Sequence, residues 1–379
     1  MNRRVTILTE IIAPYRIPVF NALAAHSEID LHVVFLARTD LSLREWRVYE
    51  DEIRFPYEVL PSWRKRIAGQ NLLFNSHVEH ALARSRPDAV VCGGYNFLAF
   101  WQALRWARRH GVQFLLWSES TAGDRRGLYG LVEALKRAFV RRCDAFVVPG
   151  KSASHYLQTF GVPPQSIFVA RNAVDSELFA RLAQQARTHA GQVRNQLALP
   201  ERYFLYVGRL VREKGPLDLV AAYARLADEL REQVGLVIVG DGPLRAELEA
   251  ASREIYPGNI HFAGFVQREQ LPAYYALAEC LVLPTHTDPW GLVVNEAMAC
   301  GLPVICTNVA GCALDLIREN GKLTVPGDIT QLREAMAGIA CDAELRLGMA
   351  EKSAQLIREY SPEAWASGMA EAALSLGAS

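Results

Sequence analysis

The sequence predicts an α/β protein with two doubly wound, parallel-sheet domains. Short apolar runs alternate with longer amphipathic segments along the chain, which is the pattern of βα repeats. The pattern lapses once, in the polar stretch 183–195, and a length of 379 residues exceeds what one ordinary core holds. We therefore expect a first domain over residues 1–185, joined by a C-terminal helix at 361–379, and a second domain over residues 186–360.

Each predicted strand is a short and nearly uninterrupted apolar run, as expected for strands covered on both faces. These runs lie at 5–9, 32–36, 89–92, 113–117 and 145–148 in the first domain, and at 203–208, 234–240, 260–262, 280–284 and 304–306 in the second. Amphipathic helices are predicted at 17–25, 74–85, 98–110 and 128–142. Ser361 as a helix cap and Pro362 after it predict the final helix. Because such domains bind ligands at the carboxyl ends of their strands, we expect the active site in the cleft between them.

Composition and charge restrict the function classes. Half of the residues are hydrophobic and 22% are charged, and no run approaches the ~20 uncharged apolar residues of a membrane-spanning helix. The N-terminus meets a charge too early for a signal peptide, so we predict a cytoplasmic protein. The seven cysteines are scattered along the chain, which predicts buried thiols. The isolated pair His77 and His80 has no acidic or thiolate neighbour, so we expect no metal site there. Nothing in the sequence predicts a nucleic-acid partner.

The most informative stretch is 288–305, which follows an apolar strand and passes through a turn into a predicted helix at 294–300. Backbone N–H groups at the start of this helix would attract an anion such as phosphate. The residues that carry these groups are Gly291, Leu292 and Val293. Asp288 lies before the turn and Glu296 one helical turn inside, so both carboxylates are expected to face one cleft. The alternative is an ordinary strand–turn–helix with solvated acids.

A second stretch places Arg209 and Lys214 in a strand-to-helix loop. An arginine fork and a lysine point charge suit a diphosphate, although Lys214 could instead pair with Glu213. The sequence has no P-loop, no dinucleotide-binding glycine pattern after the first strand and no Asp-x-Asp. Cationic side chains and backbone amides would then carry the phosphate charge, so we expect no metal ion and no other cofactor.

Together these motifs resemble family 4 of the retaining glycosyltransferases, which have the GT-B fold with two Rossmann-like domains. The likeness is strongest over 165–330. The family's E-x7-E signature is present as Asp288-x7-Glu296, followed by a full match to Ala-Met-Ala-x-Gly-x-Pro-Val-Ile, and its Gly-Arg-Leu-x-x-x-Lys-Gly loop is present at 208–215. Segments 171–179, 238–243 and 262–266 also match. The resemblance implies sugar transfer from a UDP- or GDP-linked donor to a glycan, lipid-linked or small-molecule acceptor, by a metal-independent front-face mechanism.

The resemblance also implies residue roles. Arg209 and Lys214 would hold the donor diphosphate, while amides near Leu292 and Val293 would bind its distal phosphate. Glu296 would hold the ribose hydroxyls. Asp288 would contact the donor sugar. The site for the nucleotide base would be lined by Gly264, Phe265 and Val266.

The chain departs from the family pattern at three places. Aspartate replaces glutamate at Asp288 and is one methylene shorter, which puts the sugar contacts in doubt. The glycine-rich loop expected after the first strand is 12–16, which has no glycine, and Arg16 would supply charge there or would simply begin a helix. The family's histidine after the fourth strand falls near Glu119, whose carboxylate could take over its contact with a donor or acceptor hydroxyl.

The first domain is the more basic half, since residues 1–185 carry 24 Lys and Arg against 17 Asp and Glu. The helix at 128–142 and the segment 63–66, expected to be a loop, suggest peripheral attachment to an anionic membrane with a lipid-linked acceptor. A core-facing amphipathic helix is the alternative. Alternatives for the whole protein are a nucleotide-sugar epimerase, a sugar phosphorylase, or a non-catalytic sugar-nucleotide-binding protein.

Overall fold

The structure is a computed structural model, and it describes residues 2–39, 46–67, 70–124, 131–255 and 259–375. The chain divides into two compact units, one of Met1–Val174 with Ser361–Ser379 and one of Asp175–Tyr360. Each unit is built on a parallel sheet with helices, so the predicted fold class is confirmed.

The strands of the first unit are β1 (Arg3–Ile11), β2 (Ile29–Ala37), β3 (Tyr57–Val59), β4 (Ser62–Ile67), β5 (Gln70–Asn75), β6 (Ala89–Cys92), β7 (Gln113–Trp117), β8 (Ala145–Val148) and β9 (Ile167–Val169). Seven of them form a parallel sheet in the order β3-β2-β1-β6-β7-β8-β9, while β4 and β5 form a separate antiparallel hairpin. The helices are α1 (Ile17–Ala24), α2 (Val78–Ser85), α3 (Leu98–His110), α4 (Leu131–Val140) and α5 (Lys151–Gln158), with the final helix of the chain, Pro362–Ser375.

The second unit begins with α6 (Ser176–Thr188) and α7 (Ala190–Leu197). Its strands β10 (Tyr203–Val207), β11 (Gly235–Val239), β12 (Ile260–Gly264), β13 (Cys280–Leu283), β14 (Val304–Thr307) and β15 (Gly321–Thr324) form a parallel sheet in the order β12-β11-β10-β13-β14-β15. The other helices are α8 (Pro216–Ala224), α9 (Asp228–Gln233), α10 (Arg245–Ile255), α11 (Leu271–Ala276), α12 (Leu292–Ala299), α13 (Ala313–Leu316), α14 (Ile329–Cys341) and α15 (Ala343–Leu356), so that the final helix is α16.

Both sheets are covered on both faces, which explains why their strands are continuous apolar runs. Every residue is buried in β6, β8, β10, β11, β13 and β14. In the first unit α16 supplies Trp365, whose ring lies 5.4 Å from that of Trp117 and 5.7 Å from that of Phe20 between centroids. All seven cysteines lie in the described ranges as free thiols, five of them buried, but Cys341 is exposed.

The predicted boundary at 185/186 lies inside α6, and the structure instead divides the chain between Val174 and Asp175. Asp175 caps α6 by accepting a hydrogen bond of 2.9 Å from the backbone N–H of Leu178. The apolar face of α6, with Phe179 and Ala183, then enters the core of the second unit. The polar stretch 183–195 forms the second half of α6 and most of α7.

Two local predictions are wrong. Segment 63–66 is not a loop but part of β4, in which Trp63 lies opposite Phe74 of β5. The helix predicted at 74–85 begins only at Val78, because Phe74 and Asn75 complete the hairpin. A run of basic residues hides the alternation by which a two-stranded hairpin is usually found. Of the helix predicted at 128–142, the structure has α4 over Leu131–Val140, while 128–130 lie outside the described residues.

Candidate active site

Two loops meet at the carboxyl ends of β10 and β13, which are neighbours in the second sheet. Gly215 ends the first loop with φ of 65°, and a Cβ added to it would lie 2.0 Å from the carbonyl oxygen of Pro284. The Glu213 carbonyl oxygen accepts hydrogen bonds of 2.8 Å from the Thr285 hydroxyl and from the backbone N–H of His286. Only glycine permits this approach, so segments 208–215 and 284–292 pack as one site.

The packing brings Lys214 and Asp288 together. Nζ of Lys214 lies 2.5 Å from Oδ2 of Asp288, while Oδ1 of Asp288 accepts a hydrogen bond of 3.3 Å from the backbone N–H of Trp290. Asp288 is buried, with 8% of its surface exposed. The alternative in which Lys214 pairs with Glu213 is wrong, because Lys214 reaches across to the neighbouring strand end.

Arg209 has different surroundings. Its backbone carbonyl oxygen accepts a hydrogen bond of 2.9 Å from the hydroxyl of Tyr206, which fixes the loop at the end of β10. Its side chain is exposed and forms no ion pair or hydrogen bond with any residue in the described part of the chain. The Arg209 guanidinium therefore carries a positive charge that no described acidic side chain neutralises.

Helix α12 starts beside these charges. Gly291, with φ of 93°, precedes it and has no side chain to cap the first backbone N–H groups, which include those of Leu292 and Val293. The indole N–H of Trp290 donates a hydrogen bond of 2.8 Å to Oδ1 of Asn295, and both side chains are buried. This bond holds the turn against the helix, so the N-terminus of α12 is a fixed site of partial positive charge.

Glu296 lies one turn into α12. Its Oε2 accepts a hydrogen bond of 2.7 Å from the hydroxyl of Tyr275 on α11. Burial raises the pKa of Glu296 to about 7, and the hydrogen bond from Tyr275 lowers it in part. The carboxyl group thus titrates near neutral pH, a behaviour typical of functional sites.

The predicted base segment, 264–266, lies at the end of β12 on the same edge of the second sheet. The Gly264 carbonyl oxygen accepts a hydrogen bond of 2.8 Å from the backbone N–H of Gly240, Phe265 is 40% exposed, and Val266 packs against the core that contains Tyr275. Of the residues with a predicted contact to donor or acceptor, all but one therefore lie in the second unit, at one edge of its sheet.

The remaining one, Glu119, lies in the first unit, where it forms a network with Arg16. The Arg16 guanidinium forms an ion pair with Glu119, donates a hydrogen bond of 2.9 Å to Asn172 Oδ1 and stacks 4.4 Å from the centroid of the Trp117 ring. Asn172 also donates a hydrogen bond of 3.1 Å to Glu119. Arg16 is 8% exposed and its charge is neutralised by Glu119, so it is a support for Glu119 rather than a free cation.

Sequence reasoning missed three members of these networks. Tyr275 looks like one more aromatic residue in an apolar helix, Thr285 like a turn residue, and Asn172 like part of a connecting segment. Their partners lie 21, 72 and 53 residues away along the chain. The described residues contain no cluster of three acidic, histidine or cysteine side chains that could hold a metal ion.

Comparisons with known proteins bear on both units. Residues 20–178 match the family described as Glycosyltransferase Family 4, and residues 192–356 match Glycosyl transferases group 1. The first match covers most of the first unit but not β1 or α16, and the second covers most of the second unit.

Among curated proteins, the glycogen synthase of Mycobacterium tuberculosis is 28% identical over 266 residues, which is 68% of this chain and 61% of that protein. The 2-deoxystreptamine glucosyltransferase of Streptomyces kanamyceticus is 31% identical over 233 residues, or 58% of each chain. The chain thus spans about three fifths of the length of these relatives.

Two solved structures have the same fold over the whole chain. HepE of Anabaena, in complex with UDP, has a TM-score of 0.76 at 18% identity and covers 98% of this chain and 100% of its own. Sucrose-phosphate synthase of Thermosynechococcus elongatus has a TM-score of 0.74 at 22% identity and covers 100% of both chains.

Proposed function

The chain belongs to family 4 of the glycosyltransferases and has the GT-B fold, and from this premise we propose that it transfers a sugar from a nucleotide-sugar donor to an acceptor hydroxyl with retention of the anomeric configuration. The bond between the sugar and the donor diphosphate breaks, and the new glycosidic bond forms on the same face. The leaving phosphate takes the proton of the acceptor hydroxyl. The products are a glycoside and a nucleoside diphosphate.

One observation carries the proposal. The segments with Arg209 and Lys214 and with Asp288 and Glu296 pack as a single site beside the uncapped start of α12. Negative charge on the diphosphate grows as the sugar leaves. Cationic side chains and backbone amides stabilise this charge best when their positions are fixed before the reaction. The contacts of Glu213 with the loop after β13 supply this rigidity.

The residue roles form part of the proposal. Arg209, Lys214 and the first amides of α12 hold the diphosphate, and Glu296 holds the ribose hydroxyls. Asp288 contacts the donor sugar and orients Lys214, to which it is paired at 2.5 Å. The base site is lined by Gly264, Phe265 and Val266.

We assign Glu119 to a donor or acceptor hydroxyl. Its carboxylate is held by Arg16 and Asn172 but keeps 29% of its side-chain surface exposed, so part of it is accessible to a ligand. A carboxylate held at the end of a strand can accept a hydrogen bond from a hydroxyl.

The donor is identified by thermal shift with UDP- and GDP-sugars, because a ligand bound only by the folded state raises its stability. With that donor and a panel of glycan, lipid-linked and small-molecule acceptors, NMR of the product gives the anomeric configuration. We expect binding of one nucleotide class and a retained configuration. No binding by any nucleotide sugar, or an inverted product, would contradict the proposal, and a donor-only epimer or a phosphate-dependent reaction would indicate the alternative enzymes.

We further propose that no metal ion takes part, because Arg209, Lys214 and the α12 amides supply the positive charge. Turnover is therefore expected to survive treatment with EDTA. Its loss under EDTA, with recovery on adding Mg²⁺ or Mn²⁺, would contradict this part of the proposal.

We also propose that the protein acts in the cytoplasm with its first unit at an anionic membrane surface, where a lipid-linked acceptor would lie. No helix among the described residues is both long and apolar enough to cross a membrane. Val132 and Leu135 are 42% and 50% exposed on α4, and Trp63 is 61% exposed on the β4–β5 hairpin. Apolar side chains beside basic ones favour peripheral binding to anionic lipid. Flotation with anionic vesicles at low and high salt tests this, and failure to float at low salt contradicts it.

A further inference from the structure

We propose that Tyr275 positions Glu296 for the ribose diol of the donor and thereby sets the affinity of the second unit for nucleotides. This inference rests on the proposed role of Glu296. Tyr275 itself does not touch the ligand; it acts through the carboxylate that does.

The geometry is a partly buried hydrogen bond between two neighbouring helices. The Tyr275 hydroxyl on α11 donates its hydrogen bond of 2.7 Å to Oε2 of Glu296 on α12. Tyr275 is fully buried, and its ring centroid lies 6.3 Å from that of Phe179 on α6. The buried Tyr275 hydroxyl cannot form a hydrogen bond with water instead, so breaking its bond to Glu296 would leave an unsatisfied buried donor. This cost holds the Glu296 carboxylate in one orientation.

The bond also suits the ligand chemistry. An ionised carboxylate offers about four lone-pair positions, and Tyr275 occupies one of those on Oε2. The positions on Oε1 and the second on Oε2 remain for two neighbouring ribose hydroxyls. Burial raises the pKa of Tyr275 well above its ordinary value, so its hydroxyl stays neutral and keeps donating.

Among the described residues, the titratable groups that interact with Glu296 are Tyr275 from α11 and Cys300, which directly follows α12. Arg187 from α6 donates to the backbone oxygen of Cys300. Burial raises the pKa of Glu296 and the Tyr275 bond opposes that rise. Loss of the hydroxyl would therefore raise the pKa further and reduce the ionised fraction at neutral pH.

Tyr275 also connects Glu296 to the base segment. Helix α11 follows 264–266 along the chain, and Val266 and Leu271 pack against the same core as Tyr275. Base and ribose contacts thus share one rigid support.

The test compares Tyr275→Phe with Tyr274→Phe. Both remove one hydroxyl and keep a buried ring, but it is the hydroxyl of Tyr275 that donates to Glu296. The dissociation constants of UDP and GDP, and of their 2′-deoxy counterparts, are measured by calorimetry on both sides of neutral pH. Thermal unfolding confirms that both full-length variants are folded.

We expect Tyr275→Phe to bind the preferred nucleotide roughly tenfold more weakly than wild type at alkaline pH, as for loss of a hydrogen bond to a charged group. The pH below which affinity declines should move upward, and the loss should shrink for the 2′-deoxy ligand. Tyr274→Phe should match wild type.

Wild-type affinity and pH dependence in Tyr275→Phe would overturn the inference, as would an equal loss in Tyr274→Phe or an undiminished loss with the 2′-deoxy ligand. In those cases the wild-type protein still binds nucleotide and the proposed function stands. A wild-type protein that bound neither UDP nor GDP would instead contradict the proposed function and the inference with it.

Discussion

Arg209 and Lys214 belong to one loop, but their side chains have different electrostatic surroundings. The Lys214 ammonium shares its charge with Asp288, whereas the Arg209 side chain is exposed and pairs with no described residue. A diphosphate entering the site therefore meets Arg209 as the unshared cation. We expect Arg209 to contribute more than Lys214 to stabilising the charge that develops as the sugar leaves.

Arg209→Ala is predicted to lower kcat ~100-fold or more, because loss of one preorganised charge stabiliser costs ~2.7–4 kcal/mol. Arg212→Ala is the matched control, since Arg212 lies on the same loop with 78% of its side chain exposed. Steady-state kinetics with the identified donor measure both. A well-folded Arg209→Ala with near-normal kcat would refute the role of Arg209.

Glu296→Gln is predicted to abolish tight nucleotide binding and yet stabilise the unliganded protein. The pKa of Glu296 is raised from 4.5 to about 7 in the folded state, so the folded protein binds more protons than the unfolded chain between these values. Stability accordingly falls as the pH rises through this window, and the cost of holding a buried carboxylate persists above it. Glutamine removes that cost and can still accept the Tyr275 hydrogen bond.

The expected gain is ~2 kcal/mol in the free energy of unfolding at pH values above the window, reduced for partial exposure, and it should vanish as the pH approaches the lower end. Urea unfolding at several pH values measures it. Glu351→Gln, an exposed glutamate on α15, serves as the control and should show no such pH dependence. Equal stability of Glu296→Gln and wild type at alkaline pH would show that Glu296 is not strained by burial.

At the scale of elements, the site depends on how closely the loop after β10 approaches the end of β13. Gly215→Ala is predicted to cost roughly 3 kcal/mol of stability and to weaken nucleotide binding, because its Cβ would collide with the Pro284 carbonyl oxygen. Gly111→Ala is the control: Gly111 has the same φ of 65° but nothing within 4 Å of the added Cβ. It should cost only the ~1–2 kcal/mol of left-handed strain. Equal costs for the two variants, with unchanged binding, would contradict this account of the loop packing.

Some of the secondary-structure elements can be predicted from the sequence, and others cannot. Strands β6 and β8 are found with correct ends because both of their faces are buried, so every position is apolar. The β4–β5 hairpin and β15 are missed because exposed positions break that pattern; in β15 the two central residues are exposed. The pattern of apolar residues along the chain shows which positions are buried. Elements with few buried residues therefore give only a weak pattern in the sequence.

The candidate site divides in a similar way. Short local motifs contain Arg209, Lys214, Asp288 and Glu296. These four residues can therefore be picked out as site candidates from the sequence alone. The pairing of Lys214 with Asp288 and of Arg16 with Glu119 joins residues 74 and 103 positions apart, respectively. Such contacts depend on strand order and loop packing, which local patterns do not specify.

At the scale of the molecule, the two units have separate cores, and the first is completed by α16. Trp365→Ala is predicted to destabilise the first unit by ~3–5 kcal/mol, because Trp365 is fully buried against Phe20 and Trp117. Trp63→Ala, at a position that is 61% exposed, is the control. Calorimetry should show a lower Tm for one transition only, the one that added nucleotide does not stabilise directly. A uniform decrease in both transitions would contradict the independence of the two cores.

The position of α16 has a consequence for how the protein is made. A ribosome produces residues 175–360 before it reaches 361–375, so the second unit can finish folding while the first still lacks the helix that carries Trp365. The half synthesised earliest is thus the last to mature. Until α16 emerges, the nascent first unit leaves apolar surface around Phe20 and Trp117 uncovered, and chaperones that bind such surface would act on this half of the chain.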